Sequence, residues 1–485
     1  MVFSFGGFRM SFKSEIHSFS LTHPFPGQKI SSRRPEDLLS TFGHHGVHLT
    51  EILLISLFAA VPAGFAGAFF RMSVSWANAV RTEHPALLFG LPAAGLLIAY
   101  LYRACRISHR GELMLLTDVV HGKFSDGNHS QNSPQLERST LNAVSKTAVF
   151  EEVSPFLAPL IYIASVLSHL CGASVGCEGA SILLGGGLGA QFGRWFHLSG
   201  KDLSLIILSA MAGAFAPLLG TPLAAAVFVL ERCRFRGLMG FLSCLCASFF
   251  SYEITHWLGL PPCRFSLDHA VPAFSGPTVG RVFLLTLLCI LAGSAFCGLL
   301  KCVERLADRF CPNRFLAMGL GGLLVALLTF GCGTQTFCGA GFANIQNALH
   351  GEAENWDFCL KIGFTALALG VGFKGGQIVP AFFSGAALGC VLAPWLDLEP
   401  AFAAAVGLIV LFAVVVRCPI ASVFLALELF FGMGFGWFCF AAILVFCSIE
   451  AETWAAARLH RVSQTQISNH VASDFQNRFF QEKRS

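Results

Sequence analysis

The sequence predicts an all-α, polytopic membrane bundle made of two related halves, and three observations carry that prediction. The first is composition. Of 485 residues, 54% are hydrophobic and only 12% are charged, with a mean hydropathy of +0.66. Soluble domains carry about 25% charged residues. The second is the length of the apolar stretches, at 51–70, 87–101, 156–171, 203–230, 237–250, 281–300, 315–330, 360–371, 378–397, 401–416, 419–431 and 434–449. Several fall short of the ~20 residues a full crossing needs. Short, Gly/Pro-interrupted segments are how transporters build broken helices. The third is an internal repeat. At a shift of 200, Gly172, Gly176, Gly185, Leu188 and Gly189 fall on Gly372, Gly376, Gly385, Leu388 and Gly389. At a shift of 197, Thr221-Pro222-Leu-Ala-Ala-Ala-Val-Phe-Val-Leu-Glu231 falls on Cys418-Pro419-Ile-Ala-Ser-Val-Phe-Leu-Ala-Leu-Glu428. In transporters such repeats place the substrate where the halves meet, near the midplane.

The chain divides accordingly. Residues 1–48 read as a polar cytoplasmic lead-in without a signal peptide, with one short helix near 35–43. Residues 49–455 form the membrane domain, with halves at about 49–262 and 278–455. Within it, 111–118 is a short helix, 121–150 a polar loop, and 261–277 the connection between halves. Residues 456–485 are a short cytoplasmic tail. The net charge of +4 is small, but its placement is informative. Arg33 and Arg34, then Arg103, Arg106 and Arg110, then Arg232, Arg234 and Arg236, and finally Arg458 and Arg461 cluster at the ends of spans. Cytoplasmic ends carry that excess. The 18 cysteines are scattered with no C-x-x-C, so no disulfide frame, metal centre or cofactor is expected.

One carboxylate stands out. Glu178 sits in Gly172-Ala-Ser-Val-Gly-Cys-Glu-Gly-Ala180, among glycines inside membrane-grade sequence. An ionisable group there is costly and by default marks an ion or proton path. The glycines let the backbone leave one helix and begin another. A helix N-terminus offers free N–H donors and partial positive charge, which suits an anion. Glu178 could occupy such a place and be displaced by a substrate anion or neutralised by a proton. The bland alternative is a structural glutamate hydrogen-bonded within the bundle.

These residues resemble the CLC family of chloride channels and proton/anion antiporters. Gly176-Cys177-Glu178-Gly179 resembles the family's G-R-E-G-P motif, and Gly376-Gln377-Ile378-Val379-Pro380 its G-x-F-x-P motif. The segments ending at Glu231 and Glu428 also match, and the likeness covers about residues 50–455. It implies two inverted repeats, a homodimer, and a separate anion pore in each subunit. Gly372-Phe-Lys-Gly-Gly-Gln377 resembles the fluoride-exporting branch, which carries a glutamate where this chain has Gln377. Cys177 replaces the motif arginine, Ala180 its proline, and Ile378 the usual phenylalanine. No tyrosine follows Tyr252, which leaves Thr453 or Trp454 for the family's pore tyrosine. Arg232 stands where the chloride antiporters carry a second, inner glutamate. The inner-mouth serine motif is replaced by Gly111-Glu112-Leu113-Met114.

The resemblance assigns the roles. Glu178 is the gate and proton carrier. The amides of Gly176, Cys177, Gly179, Gly376, Gln377 and Ile378 bind the anion. Lys374 and Arg417 are sources of positive potential, with a lysine snorkelling to an interface as the alternative. Glu112 either lines the inner mouth or caps its helix, where acids suit the first turn. Glu231 and Glu428 are structural, capping or paired. The expected substrates are chloride-like anions and protons in a multi-pass protein of a bacterial inner membrane, with fluoride/proton exchange as the alternative. No enzyme activity and no nucleic-acid partner is expected. The one catalytic rival is Gly172-Ala-Ser174-Val-Gly176, which satisfies the G-x-S-x-G of hydrolases. It lacks a preceding strand, and His169 is too close in sequence to be the usual partner.

Overall fold

The computed structural model describes residues 35–107, 112–121, 153–198, 200–235, 237–267, 270–455 and 458. The lead-in before 35, the polar loop after 121 and the tail beyond 458 lie outside them. Within the described residues the chain is helical, with one isolated β-bridge and no longer strand.

The first half contains α1 (Pro35–Glu83), α2 (Leu91–Ala104), α3 (Glu112–Val120), α4 (Leu157–Leu170), α5 (Glu178–Trp195), α6 (Gly200–Leu219), α7 (Pro222–Arg232) and α8 (Leu238–Trp257). The second contains α9 (Gly276–Phe310), α10 (Arg314–Cys332), α11 (Phe342–Leu349), α12 (Asp357–Val371), α13 (Ile378–Leu392), α14 (Pro400–Val416), α15 (Pro419–Leu429) and α16 (Phe435–Ala455). The helix expected near 35–43 is the leading part of α1, since residues 44–50 are helical as well. Starts of α4 to α7 recur in α12 to α15 at shifts of 200, 200, 200 and 197, so the sequence repeat is a structural one.

Among the described residues seven helices are long and apolar enough to cross a membrane, including Ser56–Glu83, Leu238–Trp257 and Gly276–Phe310. At 1.5 Å per residue, the eleven residues of α7 or α15 reach only about half-way. Such short helices must end inside the protein, and their free backbone groups need partners there. The structure meets this need reciprocally. The Glu231 carboxylate, at the end of α7, accepts from the amides of Ile420 (3.0 Å) and Ala421 (2.7 Å) at the start of α15. The Glu428 carboxylate, at the end of α15, accepts from Leu223 (3.0 Å) and Ala224 (2.8 Å) at the start of α7. Each helix caps the other, so the two run antiparallel and the halves are inverted. Pro222 and Pro419 both stand at N1, where the missing N–H costs nothing.

The core is carried by α6 and α14. α6 is buried from Leu203 to Leu219, and α14 from Phe402 to Val416. Small residues let backbones meet, as in membrane helix packing generally. A Cβ on Gly385 would strike the carbonyl of Gly407, and one on Gly189 would stand 2.8 Å from the Cα of Ile207.

Candidate functional site

Two loops meet at the centre. Helix α4 ends at Leu170, capped by Cys171, and Gly172 turns with φ +86°. Helix α12 ends at Val371, and Gly372 turns with φ +119°. That left-handed conformation favours glycine and allows the chain to reverse at each site. Both loops then run to a new helix, α5 at Glu178 and α13 at Ile378. Midway they pair. The amide of Gly176 donates to the carbonyl of Gly376 (2.7 Å), and the amide of Gly376 to that of Gly176 (2.6 Å). This brings the N-termini of α5 and α13 together.

Glu178 lies between them, fully buried. Its Oε2 accepts from the amide of Val379, in the first turn of α13, at 3.4 Å. Its Oε1 accepts from the Sγ–H of Cys177 at 3.4 Å. The carboxylate of one half therefore sits on the helix N-terminus of the other. Two partial positive ends and their orphan amides favour an anion at this point. The approach leaves no room for side chains at the bridge. A Cβ on Gly176 would run into Glu178 Oε2, and one on Gly376 would lie 2.7 Å from the Gly179 amide nitrogen.

The expected anion-binding amides divide into two sets. Those of Gly176 and Gly376 are committed to each other in the bridge. Those of Cys177, Gly179, Gln377 and Ile378 belong to N-caps and first turns, with no helical carbonyl one turn back. Gln377 is half-buried at the cap, and Ile378 is buried.

Other sequence candidates have partners of their own. Lys374 is buried with its Nζ 4.3 Å from the ring centroid of Tyr102 on α2. Arg417 ends α14 and pairs with Glu452 on α16 at 2.9 Å. Thr453 bonds the Ile449 carbonyl of its own helix, and Trp454 lies exposed beside Arg458. Glu112 is the first residue of α3, and its side chain lies outside the described part. Ser174 is buried and hydrogen-bonded to Thr365 (3.0 Å), while His169 Nδ1 is bonded to the Ser165 carbonyl (2.8 Å). Helix α4, not a strand, precedes that serine, so the hydrolase elbow is absent.

Sequence reading passed over the neighbours that fasten the loop from the other side. Lys361 is fully buried in α12, donating to the carbonyls of Phe337 (3.1 Å) and Gly339 (2.7 Å). The Gly339 amide in turn donates to the carbonyl of Ala173 in the Glu178 loop (3.0 Å). A lysine inside the apolar run 360–371 was the available signal.

Comparison with known proteins agrees with this fold. A family model described as "Voltage gated chloride channel" matches residues 127–449. A "Chloride/fluoride channel protein" of Pseudomonas syringae pv. tomato is 30% identical over 423 residues, covering 83% of this chain and 84% of that protein. An "H(+)/Cl(-) exchange transporter ClcA" of Vibrio parahaemolyticus is 24% identical over 429 residues, covering 83% and 87%. Among solved structures, a CLC-type fluoride/proton antiporter matches with TM-score 0.72 and 27% identity, over 82% of this chain and 95% of the other. A slow cyanobacterial Cl−/H+ antiporter shares the fold with TM-score 0.61 at 18% identity, over 82% and 94%. Two inverted halves, a paired-loop centre with one buried glutamate, and a family match over most of the membrane domain lead to one conclusion: this chain belongs to the voltage-gated chloride channel (CLC) family of anion channels and antiporters, and is not an enzyme.

Proposed function

We propose that the protein carries chloride-like anions through a path gated by Glu178, and that this carboxylate exchanges a proton as it moves. The observation that carries the reading is the seat of Glu178 on the N-terminus of α13. In this state the carboxylate fills the position that a substrate anion would take. Protonation removes its charge and its preference for the helix ends. A permeating anion then competes for the amides of Cys177, Gly179, Gln377 and Ile378. Loss of the proton returns the carboxylate and closes the path.

Charge placement supports both termini facing the cytoplasm. Arg103 lies in the last turn of α2 and Arg106 just after it, Arg232 ends α7 with Arg234 just beyond, and Arg305, Arg309 and Arg314 surround the turn between α9 and α10. By the positive-inside rule these ends are cytoplasmic. The ends at Glu83, Trp257 and Cys332 then face outward. We place the protein in a bacterial inner membrane as a homodimer with one path per subunit.

Channel and antiporter differ in whether proton and anion movements are locked together. Arg232, at the place of the family's inner glutamate, supports weak coupling. A fluoride/proton antiporter is the second reading, and the 27%-identical structure favours it by its name, while the Pseudomonas relative is named for both chloride and fluoride. The neutral Gln377 supports chloride passing at least as well as fluoride. Efflux from proteoliposomes loaded with chloride and then with fluoride, with pH followed in parallel, tests both. Fluoride carried far faster than chloride would make the second reading the correct one. No flux of either anion would refute the proposal.

A further inference from the structure

Each oxygen of the Glu178 carboxylate has a donor of its own. Oε2 takes the amide of Val379, from the second half, and Oε1 takes the Sγ–H of Cys177, from the first, both at 3.4 Å. The two donors differ in kind. The amide belongs to the backbone, and any residue but proline at 379 would supply it. The thiol is a side chain, so it depends on which residue occupies the N-cap of α5. Cys177 is buried there, with 5% of its surface exposed.

A thiol favours one state of this carboxylate. An ionised carboxylate only accepts, so the S–H points at Oε1 without competition, and hydrogen bonds to an ionised group are the stronger kind. A protonated carboxyl has its own O–H to place, and sulfur is a weak acceptor for it. Hydrogen bonding to the charged form favours that form. Arginine, the motif residue at this place, would bring a full positive charge as well. The thiol brings the hydrogen bond with no net charge.

Other ionisable groups surround the seat. Lys361 on α12 and Cys263 in the loop after α8 lie within electrostatic reach of Glu178. Lys374, in the facing loop, lies against Tyr102. Arg71, Arg81 and Arg264 line the cavity that Cys177 and Cys263 also line. A substitution at 177 leaves all of these in place, so a change in the gate's response to pH reports the residue at 177.

We propose that Cys177 is a positioning residue for the gate, whose thiol holds the ionised Glu178 in its seat and so lowers the pH at which the gate is released. It rests on the reading of Glu178 as the gate. Without the donor the seated, ionised form is less favoured, and release by protonation begins at higher pH.

The test follows chloride flux from proteoliposomes against pH for wild type, Cys177→Ala, Cys177→Val and Cys177→Ser. Alanine and valine both lack the donor, one with less bulk than cysteine and one with more. Their midpoints should move up by about half a pH unit, the scale of one weak donor. Serine keeps a hydroxyl donor and should hold the midpoint at or below that of wild type. If Cys177→Ala does not fold, Cys177→Val is compared with Cys177→Ser in its place. A change in maximal flux at a fixed midpoint would show that Cys177 only packs, and would overturn the proposal. So would a midpoint that follows side-chain size rather than the donor. Infrared titration of the detergent-solubilised protein separates this from failure of the proposed function. The carbonyl stretch of the protonated Glu178 carboxyl, isolated by subtracting the spectrum of Glu178→Gln, reads its protonation without any flux. Alanine and valine should again lie above wild type and serine, even if Glu178→Gln leaves the pH profile of flux unchanged and the gate reading fails. An infrared midpoint that stays fixed in Cys177→Ala and Cys177→Val would refute the role of the thiol.

Discussion

The loop of the first half, 172–178, and the loop of the second, 372–378, share a backbone but not a chemistry. Each begins with a left-handed glycine and pairs at its fifth residue. Each enters its helix through a cap of nearly the same conformation. Cys177 has φ −104° and ψ −12°, and Gln377 has φ −100° and ψ −2°. The next residue is Glu178 in one half and Ile378 in the other. Symmetric backbone thus builds two facing helix N-termini, and only one of them brings its own anion. That one acid serves both ends, through the amide of Val379 across the interface. One buried acid on a two-fold frame follows from this difference. Two carboxylates in the same low-dielectric space would repel each other.

The largest effect is expected where the comparison is abolished. Glu178→Gln keeps size and much of the hydrogen bonding but cannot ionise. Anion flux should persist, its pH dependence should flatten, and anion-driven proton movement should vanish. Proteoliposome flux over about pH 4 to 8, the range in which carboxylates and imidazoles titrate, reads this directly. A variant that keeps the wild-type pH profile and proton coupling would remove Glu178 from the mechanism.

A test of the shared backbone comes next. In Gly376→Ala the new methyl stands 2.7 Å from the Gly179 nitrogen and 3.1 Å from Glu178 Oε2. Overpacking of this kind costs about 1–3 kcal/mol of stability, and pushing the two loops apart at the bridge should also lower flux. Gly363→Ala, where no neighbour lies within 4 Å of the added carbon, serves as the control. Equal flux in the two variants would show that the close approach is not required.

The third prediction makes the second loop acidic. Gln377→Glu places a carboxylate at the cap of α13, beside the seat of Glu178. Chloride flux should drop several-fold and the fluoride-to-chloride ratio should rise, measured with paired ion-selective electrodes. An unchanged ratio would take position 377 out of selectivity.

The smallest effect is expected at the caps, where the halves are alike. Glu231→Gln and Glu428→Gln each replace a charged cap that accepts two amides. Each should cost about 1 kcal/mol. The two should lower the thermal unfolding midpoint by similar amounts. A large inequality would mean that one of the pair has a role outside capping.

Much of this was legible in the chain. Apolar composition and segment length determined a helical membrane bundle, because backbone polar groups in hydrocarbon must be satisfied internally. Repeated glycines at a fixed shift determined two halves, because a turn or a close approach tolerates little else. A lone carboxylate among them marked the candidate site, because ionisable groups at that depth are costly. Folding decided the rest, because contacts between residues far apart in sequence leave no local pattern. Nothing near Gly176 indicates that its amide is taken by Gly376, 200 residues away. Glu231 and Glu428 look like ordinary helix ends until the inversion sets each against the start of the other's helix. Lys374 and Arg417 have the charge to act at the path, yet one lies over Tyr102 and the other pairs with Glu452. Arg81 reads in the sequence as an ordinary basic residue at the end of a span. Only the convergence of α1 with two distant loops leaves its Nε buried without a partner, on a cavity it shares with Cys177.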